Sequence, residues 1–267
     1  KKREELFPVI LDTAICHGIG KVSEKVIDKI NIREATIMSM NLALKNLSIK
    51  PDFAYIDGER LENQKIPNKG IVGGDNLIDS IMAASIIAKV TRDKIMEEYS
   101  TIFPYYEFEK NNGYGTKMHL EGLQKHKSSP IHRTTFKPVS LYLASVSWYK
   151  KNKLEDSLAI QLIGLELIKN GFKILEMNIN NIKNCGIHII GIKDGMIYFF
   201  HVKKRTDRNR NLLKNSVESN LVSKLEEESV QFFKKTKTTS KYKFMQGLVT
   251  LFNPTPNIQI FEINASK

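Results

Sequence analysis

Apolar residues recur at helical spacing in two N-terminal segments. Residues 3–17 and 33–47 place apolar side chains three or four positions apart, which predicts two helices that cover a sheet. The apolar residues 53–56 predict a short buried strand, and residues 71–72 predict another. The small-residue segment 80–92 then predicts a long helix.

The pattern changes near residue 150. A helix is predicted over residues 154–170, where Gly171 ends it as a C-cap. Asp194-Gly195 is the turn of a predicted hairpin. The remaining predicted elements of this half are strands over 172–175, 186–191 and 196–202, a helix over 211–235, and strands over 244–252 and 258–263.

Composition narrows the classes of protein to consider. The chain has 267 residues, of which 41% are hydrophobic and 26% charged, as in globular proteins of one or two domains. No apolar run approaches the roughly 20 residues of a membrane helix, and the first residues lack the apolar part of a signal peptide. We therefore interpret the protein as cytoplasmic, with no membrane partner. Cys16 and Cys185 stand far apart, which argues against a zinc site or a disulfide framework and predicts two buried thiols.

The positive charge is unevenly distributed. The net charge is +12; residues 1–140 hold 21 Lys and Arg against 18 Asp and Glu, a net of +3, and residues 141–267 hold 20 against 11, a net of +9. The excess concentrates in two basic clusters, residues 203–210 and 234–243. Each cluster could bind a polyanion or form a solvated face, and the sequence leaves both open.

Two aspartates stand where the edge of a sheet is expected. Asp57 directly follows the strand predicted over residues 53–56, and Asp75 follows Gly73-Gly74 near the start of the long helix. Sites in α/β folds usually lie at the carboxyl ends of strands. Two convergent carboxylates can bind one divalent cation, which is the minimum for metal-assisted phosphodiester hydrolysis. The alternative is that each aspartate only forms a turn or caps a helix.

Several motifs in order give this region a close resemblance to bacterial ribonuclease HII. The resemblance is strongest over residues 75–93 and covers about residues 1–140. The other motifs that carry it are Asn31-Ile32-Arg33-Glu34-Ala35-Thr36, Tyr105-Tyr106-Glu107-Phe108, Gly113-Tyr114-Gly115-Thr116-Lys117-Met118-His119 and His132-Arg133-Thr134-Thr135-Phe136.

This resemblance implies a ribonuclease H-like sheet on which four acidic residues bind Mg²⁺ or Mn²⁺. Asp57 and Asp75 match the last two acids, so we expect them to be catalytic and to bind the metal. The first two acids of the family are an adjacent Asp-Glu pair on its first strand. Neither that pair nor the family's Gly-Arg-Gly loop, which senses the ribose 2′-OH, has a match, and the chain is expected to begin inside the helix that follows them.

The resemblance also implies substrate-binding residues. Tyr114 matches the family tyrosine that stacks on the sugar at an RNA–DNA junction; the alternative is a core tyrosine at a turn. Arg133 could contact phosphate, whereas its neighbour His132 is expected to be structural. Lys89 is a further substrate-binding candidate, although it could simply favour the helix dipole. The implied partner is an RNA–DNA hybrid or duplex DNA that contains ribonucleotides.

The second half resembles, more faintly, a small bacterial family with a restriction-endonuclease-like fold. That family has a Gly-Glu-Ile-Asp motif followed by Glu-Val-Lys. Its acids are replaced here by Ile187, Ile189 and His201, whereas Lys203 keeps the lysine. Glu155 matches an acid in the first helix, but one carboxylate is a poor metal site. We therefore expect a catalytically degenerate domain.

The expected fold class is α/β. It comprises an incomplete, N-terminally truncated ribonuclease H-like domain over residues 1–140, a linker over 141–152, and a small restriction-endonuclease-like α/β domain over 153–267. One function is a metal-dependent endoribonuclease that hydrolyses the RNA strand of RNA–DNA hybrids or incises at embedded ribonucleotides. The alternative is an inactive, nucleic-acid-binding remnant. In a third, blander possibility, the basic second half tethers the first to nucleic acid.

Overall fold

The protein contains both helices and strands, with most of the strands in the second half of the chain. The computed structural model describes residues 2–179, 185–205, 219–253 and 255–263. The chain divides into two compact units. Unit 1 comprises Lys1–Glu97 and Asn112–Leu143, and unit 2 comprises Glu98–Asn111 and Ala144–Lys267. The mixed α/β class is confirmed. No helix within the described ranges is long and apolar enough to cross a membrane.

The first half of the chain is mainly helical, with one small parallel sheet. Its elements are α1 (Lys2–Thr13), α2 (Glu24–Lys45), β1 (Ala54–Asp57), β2 (Asn68–Ile71), α3 (Asp79–Ile102), α4 (Phe108–Asn111), α5 (Lys117–His126) and α6 (Val146–Lys151), with short 3₁₀ helices at Gly74–Asn76, Pro104–Tyr106 and Val139–Leu141.

The predicted helices of unit 1 need correction at their ends. The first stops at Thr13, short of the predicted residue 17. The second begins at Glu24 and is kinked at Asn31, where φ is 69°. Asn31 Oδ1 accepts a hydrogen bond from the Glu34 N–H at 3.1 Å, which caps the second stretch close to the predicted start at residue 33. The long helix begins at Asp79 rather than near Asp75.

The sheet of unit 1 pairs β1 with β2 in parallel, from Ala54 opposite Asn68 to Asp57 opposite Ile71. β2 therefore begins earlier than the strand predicted at residues 71–72. Its polar residues escaped prediction because the pairing uses backbone groups that every residue carries. A small core forms beneath the sheet from Ala54, Ile56, Leu61 and Ile66, against which Ile37, Met40 and Leu44 of α2 pack.

Unit 2 is built on a five-stranded sheet in the order β3-β4-β5-β6-β7. Of its strand pairs, β5 and β6 run parallel and the others antiparallel. Phe200 and Val202 of β5 pack in the cluster that contains α7, whereas Ile197 and Phe199 pack in the cluster that contains α8. The two helices thus cover opposite faces. The elements are α7 (Glu155–Lys169), β3 (Lys173–Met177), β4 (Ile189–Lys193), β5 (Met196–Arg205), α8 (Ser219–Thr236), β6 (Tyr242–Asn253) and β7 (Thr255–Glu262).

Most predictions for unit 2 agree with its elements. The helix before Gly171 is confirmed, and Gly171 has the left-handed φ of 82° expected of a residue that ends a helix. The predicted hairpin turn connects β4 to β5, with Asp194 at φ 50° and Gly195 at φ 75°. The strand predicted over 186–191 begins only at Ile189.

Some predictions are left untested or are only partly right. Several predicted features lie outside the described residues. They are Arg208 and Arg210 of the first basic cluster, part of the predicted helix over 211–235, and Pro254. Cys16 and Cys185 are not joined in a disulfide, and each is half-buried rather than buried as predicted.

Candidate active site

Asp57 reaches solvent because β1 alternates. Ala54 and Ile56 point into the core of unit 1 with 8% and 7% exposure, whereas Tyr55 and Asp57 are exposed. Asp57 is the last residue of the strand, and the Gly58 N–H that follows donates to the Ile71 carbonyl at 2.9 Å. The sequence thus delivers a carboxylate to the carboxyl end of a parallel strand pair, as predicted.

A tight turn after β2 brings Asp75 beside Asp57. Gly73 adopts φ 66°. A Cβ on the following Gly74 would stand 2.6 Å from Ile81 Cδ1, so the end of the Ile81 side chain would have to move to admit one. The Gly74 N–H donates to Asp57 Oδ1 at 2.9 Å. Asp57 is therefore hydrogen-bonded to the residue that precedes Asp75 in the chain.

Asp75 lies in the short 3₁₀ helix Gly74–Asn76, not at the start of α3. The prediction that it opens the long helix is therefore wrong, and so is the alternative that it caps that helix. Its Oδ1 accepts a hydrogen bond from Asn76 Nδ2 at 2.8 Å. A carboxylate has about four acceptor positions, so one hydrogen bond leaves capacity for a cation.

The donor chemistry of this pair suits a hard cation. Mg²⁺ and Mn²⁺ prefer carboxylate oxygens, and both Asp57 and Asp75 supply them. Within the described ranges, no three His, Cys, Asp or Glu residues form a group that could hold a metal ion. The two aspartates fit such an ion in kind, but they amount to half of the four acids that the sequence resemblance implies.

A groove of about 740 Å³ begins at Gly58, next to Asp57. Its lining carries both signs of charge, including Arg33 and Glu59, which form an ion pair at 2.6 Å. The hydrogen bond to Glu59 is the main cause that raises the pKa of the Arg33 guanidinium. Because the charges are mixed, the groove by itself shows no preference for a polyanion.

Lys89 and Arg92 lie one turn apart on α3 and have different contacts. Lys89 Nζ is 2.6 Å from Asp93 Oδ1, so its charge is already paired within the helix. Arg92 Nη2 donates to the Asn112 carbonyl at 2.8 Å, and the Arg92 guanidinium carbon is 5.4 Å from the centre of the Tyr114 ring. No local sequence pattern marks these contacts of Arg92 with the Tyr114 segment, because about 20 residues separate them in the chain.

Tyr114 stands on a turn with its side chain 64% exposed, which excludes the alternative of a core tyrosine. Gly113 before it has φ 81°, a conformation that favours glycine. The Tyr114 carbonyl accepts a hydrogen bond from the Thr116 N–H at 2.8 Å and contacts His119 Nδ1 at 2.9 Å. The backbone of this turn is held in place while the ring faces solvent.

His132 is buried, as expected for a structural residue, and Arg133 is stacked on a neighbouring ring. His132 Nε2 is 3.0 Å from Nε2 of His119, and the two side chains belong to residues that are 7% and 4% exposed. Burial, with a smaller contribution from the neighbouring imidazole, lowers the pKa of His132 to about 3. The Arg133 guanidinium carbon lies 4.3 Å from the centre of the Phe136 ring.

Asp28 of α2 anchors the segment after Arg133. Its two carboxylate oxygens accept four hydrogen bonds, from the backbone N–H and the hydroxyl of both Thr134 and Thr135, at 2.6 to 3.2 Å. Partial burial favours a higher pKa, but these hydrogen bonds together outweigh it and lower the pKa of Asp28 to about 2. More than 100 residues separate the partners, so no local pattern could have revealed this contact.

The described residues of unit 2 that carry the fainter sequence resemblance do not form an acidic pair like Asp57 and Asp75. Ile187 and Ile189 are 4% and 0% exposed and belong to apolar clusters. His201 Nδ1 donates to the Gly186 carbonyl at 2.6 Å, since a carbonyl can only accept. Lys203 is half-buried on the same strand. Both isoleucines thus serve the packing of unit 2.

Comparisons with known proteins support the resemblance seen in the sequence. The family model described as Ribonuclease HII matches residues 1–139. The chain is 49% identical to a ribonuclease HII from Endomicrobium trichonymphae over 141 residues, which are 52% of this chain and 67% of that protein. It is 48% identical to the protein of that name from Chlorobium luteolum over 136 residues, 51% of this chain and 65% of the relative.

A third relative, a ribonuclease HII from Desulfitobacterium hafniense, is 47% identical over 142 residues, 53% of this chain and 55% of its own length. The chain thus spans between about half and two thirds of the length of these relatives. The matched region contains Asp57, Asp75, Tyr114 and the buried histidine pair, and it makes up more than half of the chain. This chain belongs to the ribonuclease HII family.

Proposed function

We propose that this protein is a metal-dependent endoribonuclease of the ribonuclease HII type, which hydrolyses the RNA strand of RNA–DNA hybrids or incises at embedded ribonucleotides. The observation that carries the proposal is the hydrogen bond from the Gly74 N–H to Asp57 Oδ1. It joins one carboxylate to the residue that precedes Asp75 in the chain, which supports a site shared by the two aspartates. Membership in the family supports the same chemistry.

Asp57 and Asp75 would hold the divalent cation on which the family generally depends, and their oxygen donors suit Mg²⁺ or Mn²⁺. When bound, such an ion polarises the phosphate and stabilises charge that develops in the transition state. The neighbouring residues orient the two aspartates. The Gly74 N–H donates to one carboxylate oxygen of Asp57, and the Asn76 side-chain amide donates to one oxygen of Asp75.

Tyr114, Lys89 and Arg133 would contact the nucleic acid. The exposed Tyr114 ring is suited to stacking on a sugar or base. Arg133 stacks on Phe136, which limits its motion while leaving its N–H groups to meet phosphate. Lys89 would contribute more weakly, because Asp93 at 2.6 Å competes with any phosphate for its ammonium group.

We further propose that residues 1–140 form the ribonuclease H-like domain and residues 153–267 a restriction-endonuclease-like domain without nuclease activity, joined by residues 141–152. A mixed sheet covered by one helix on each face supports the α/β character of the second domain. The buried Ile187 and Ile189 argue against a metal site there.

The test is incision of a DNA duplex that contains one ribonucleotide, with Mg²⁺, with Mn²⁺ and with EDTA. Asp57→Asn is expected to abolish all metal-dependent incision because it removes one anionic ligand. Asp52→Asn is the matched control, since Asp52 is exposed five residues upstream, and it should leave incision unchanged. Incision that survives Asp57→Asn would exclude the proposed site. Duplex binding with neither incision nor metal binding would favour the inactive remnant.

A further inference from the structure

We propose that His119 and His132 are positioning residues that set the conformation of the Tyr114 turn through a chain of directed hydrogen bonds. The inference rests on the proposed function, in which Tyr114 contacts the substrate. Both histidines are almost completely buried, at 4% and 7% exposure, and neither reaches solvent to act on a substrate itself.

The direction of every bond in this chain follows from its two ends. The Tyr114 carbonyl can only accept, so His119 Nδ1 carries a proton and donates to it at 2.9 Å. At the other end the Ser129 N–H can only donate, so His132 Nδ1 is unprotonated and accepts at 3.1 Å. With both rings neutral, His132 Nε2–H must donate to His119 Nε2 across the 3.0 Å contact.

One proton arrangement therefore satisfies the whole chain from Ser129 to Tyr114. A proton added to His119 Nε2 would face the Nε2–H of His132. The lowered pKa of both histidines, caused first by burial, agrees with neutral rings. The chain thus forms a rigid connection that ends on the backbone of an exposed aromatic residue.

The other contacts of the turn at residues 112–116 show what the hydrogen bond from His119 adds. Thr116 N–H also donates to the Tyr114 carbonyl, and Arg92 Nη2 holds the Asn112 carbonyl at 2.8 Å. Gly113 between them has φ 81° and tolerates several backbone conformations. His119 supplies the contact from beneath that selects one of them, so that the Tyr114 ring is oriented before nucleic acid binds.

Two amide variants of His119 each break a different hydrogen bond, one to Tyr114 and the other to His132. In His119→Asn, the side-chain amide replaces Nδ1 and can still donate to Tyr114, but the Nε2–H of His132 loses its acceptor. In His119→Gln, the longer amide replaces Nε2 and can still accept from His132, but the donor to Tyr114 is lost. The two variants should therefore show opposite defects.

The first readout needs no nucleic acid. Nitrogen-15 NMR of the wild-type histidine rings should find the proton of His119 on Nδ1 and that of His132 on Nε2. Exchange of the Thr116 amide should be about tenfold faster in His119→Gln than in His119→Asn, because one hydrogen bond to the turn is lost. The melting temperature should show the reverse order, since the hydrogen bond between the two buried imidazoles is lost in His119→Asn. A proton on His119 Nε2, or equal exchange in the two variants, would overturn the proposal.

The second readout is the affinity for a ribonucleotide-containing duplex in EDTA. His119→Gln should bind several-fold more weakly than His119→Asn, and the difference should vanish when Tyr114→Ala is added to both. If exchange differs as expected but affinity does not, the positioning role stands and the substrate role of Tyr114 fails. If Tyr114→Ala weakens binding but the two His119 variants behave alike in exchange, the proposed function survives and the positioning role is wrong.

Discussion

Each unit contains a pair of acidic residues, and the two pairs are used in opposite ways. In unit 1, Asp57 and Asp75 are oriented by hydrogen bonds from neutral N–H groups at 2.9 and 2.8 Å. In unit 2, Lys204 Nζ lies 3.5 Å from Glu155 Oε2 and 3.4 Å from Asp156 Oδ1. Neutral donors orient a carboxylate but leave its charge to attract a cation, whereas the ammonium group of Lys204 neutralises one of the two negative charges of the second pair.

A third acid of unit 2, Glu228, is oriented by neutral N–H groups as Asp57 is, but both of its oxygens are engaged. Glu228 of α8 accepts hydrogen bonds from the Gly186 N–H at 2.7 Å and the Ile187 N–H at 2.8 Å, one on each oxygen. These bonds fasten the segment before β4 to the helix. The number of acids near a sheet therefore says little about catalysis until the partners of each acid are known.

The two units also differ in how they bury apolar side chains. Unit 2 completely buries Phe199 and Phe200, at 0% exposure, on the two faces of its sheet. In unit 1, the segment between β2 and α3 exposes Val72 at 84% and Leu77 at 71%. A residue of unit 2 is therefore expected to matter first for stability, and a residue near the β1–β2 edge first for binding.

The largest effect is expected at the metal. Mn²⁺ added in small amounts should broaden the NMR signals of the Gly74 and Asp75 amides, because an ion held by the aspartate pair lies close to both. Asp57→Asn should remove this broadening completely. The signals of Glu155 and Asp156 should persist, since Lys204 neutralises part of their charge and competes with a cation for them. Broadening at Glu155 equal to that at Asp75 would contradict the comparison.

The next largest effect is expected in the core of unit 2. Phe200→Ala should lower the free energy of unfolding by about 3–5 kcal/mol, because it removes a ring that is 0% exposed and leaves a cavity. Phe53→Ala is the matched change in unit 1, where the side chain is 48% exposed, and should cost less than about 1 kcal/mol. Urea unfolding of the full chain measures both, and equal losses would remove the contrast between the units.

The sequence predicted those parts of the fold that depend on local pattern. The apolar run of residues 53–56 was enough to place a carboxylate at the end of a strand, although the strand is buried only at Ala54 and Ile56 and exposes Tyr55. The exposed Tyr114 was expected from its family motif and its flanking glycines. These features depend on neighbours within a few residues, which sequence analysis can read directly.

Other parts of the site depend on residues that are distant in the chain. β2 begins at Asn68 because its backbone pairs with β1, and no side-chain pattern marks that pairing. The Asp28 carboxylate meets Thr134 and Thr135 across more than 100 residues. The His119–His132 bond likewise joins two separate motifs. Each motif was recognised alone, but their contact needed the fold.

A smaller loss of stability is expected when the Asp28 anchor is removed. Asp28→Asn should lower the free energy of unfolding by about 1–3 kcal/mol at neutral pH, since charge-assisted hydrogen bonds to Thr134 and Thr135 are lost. The folded pKa of about 2 lies below the usual 3.8, so this stabilisation is fully present above about pH 4 and is lost as the pH falls towards 2.

The measurement for Asp28 is the difference in urea stability between wild type and Asp28→Asn across that pH range. The difference should shrink as the carboxylate becomes protonated. Asp12→Asn is the control, because Asp12 is exposed on α1. A difference that stays constant from pH 5 to pH 2 would show that the charge of Asp28 is not what holds the two threonines.

The smallest effect is expected at Lys204, and it tests whether the basic excess of the second half binds nucleic acid through every lysine. Lys204 and Arg205 belong to the first basic cluster, for which polyanion binding and a solvated face were both left open. If the cluster binds phosphate, it should steepen the salt dependence of duplex binding by about 0.9 log units per phosphate contact. Because Glu155 and Asp156 flank Lys204, whose side chain is only 22% exposed, Lys204→Gln should change that slope by much less than one contact.

Titration of the full chain with duplex DNA in EDTA at several salt concentrations measures the slope. Lys237→Gln, in the exposed second cluster, is the matched change and should flatten the slope by up to about 0.9 if that cluster meets phosphate. A full unit lost in Lys204→Gln would mean that phosphate displaces both acids, and that the charge of unit 2 is available after all.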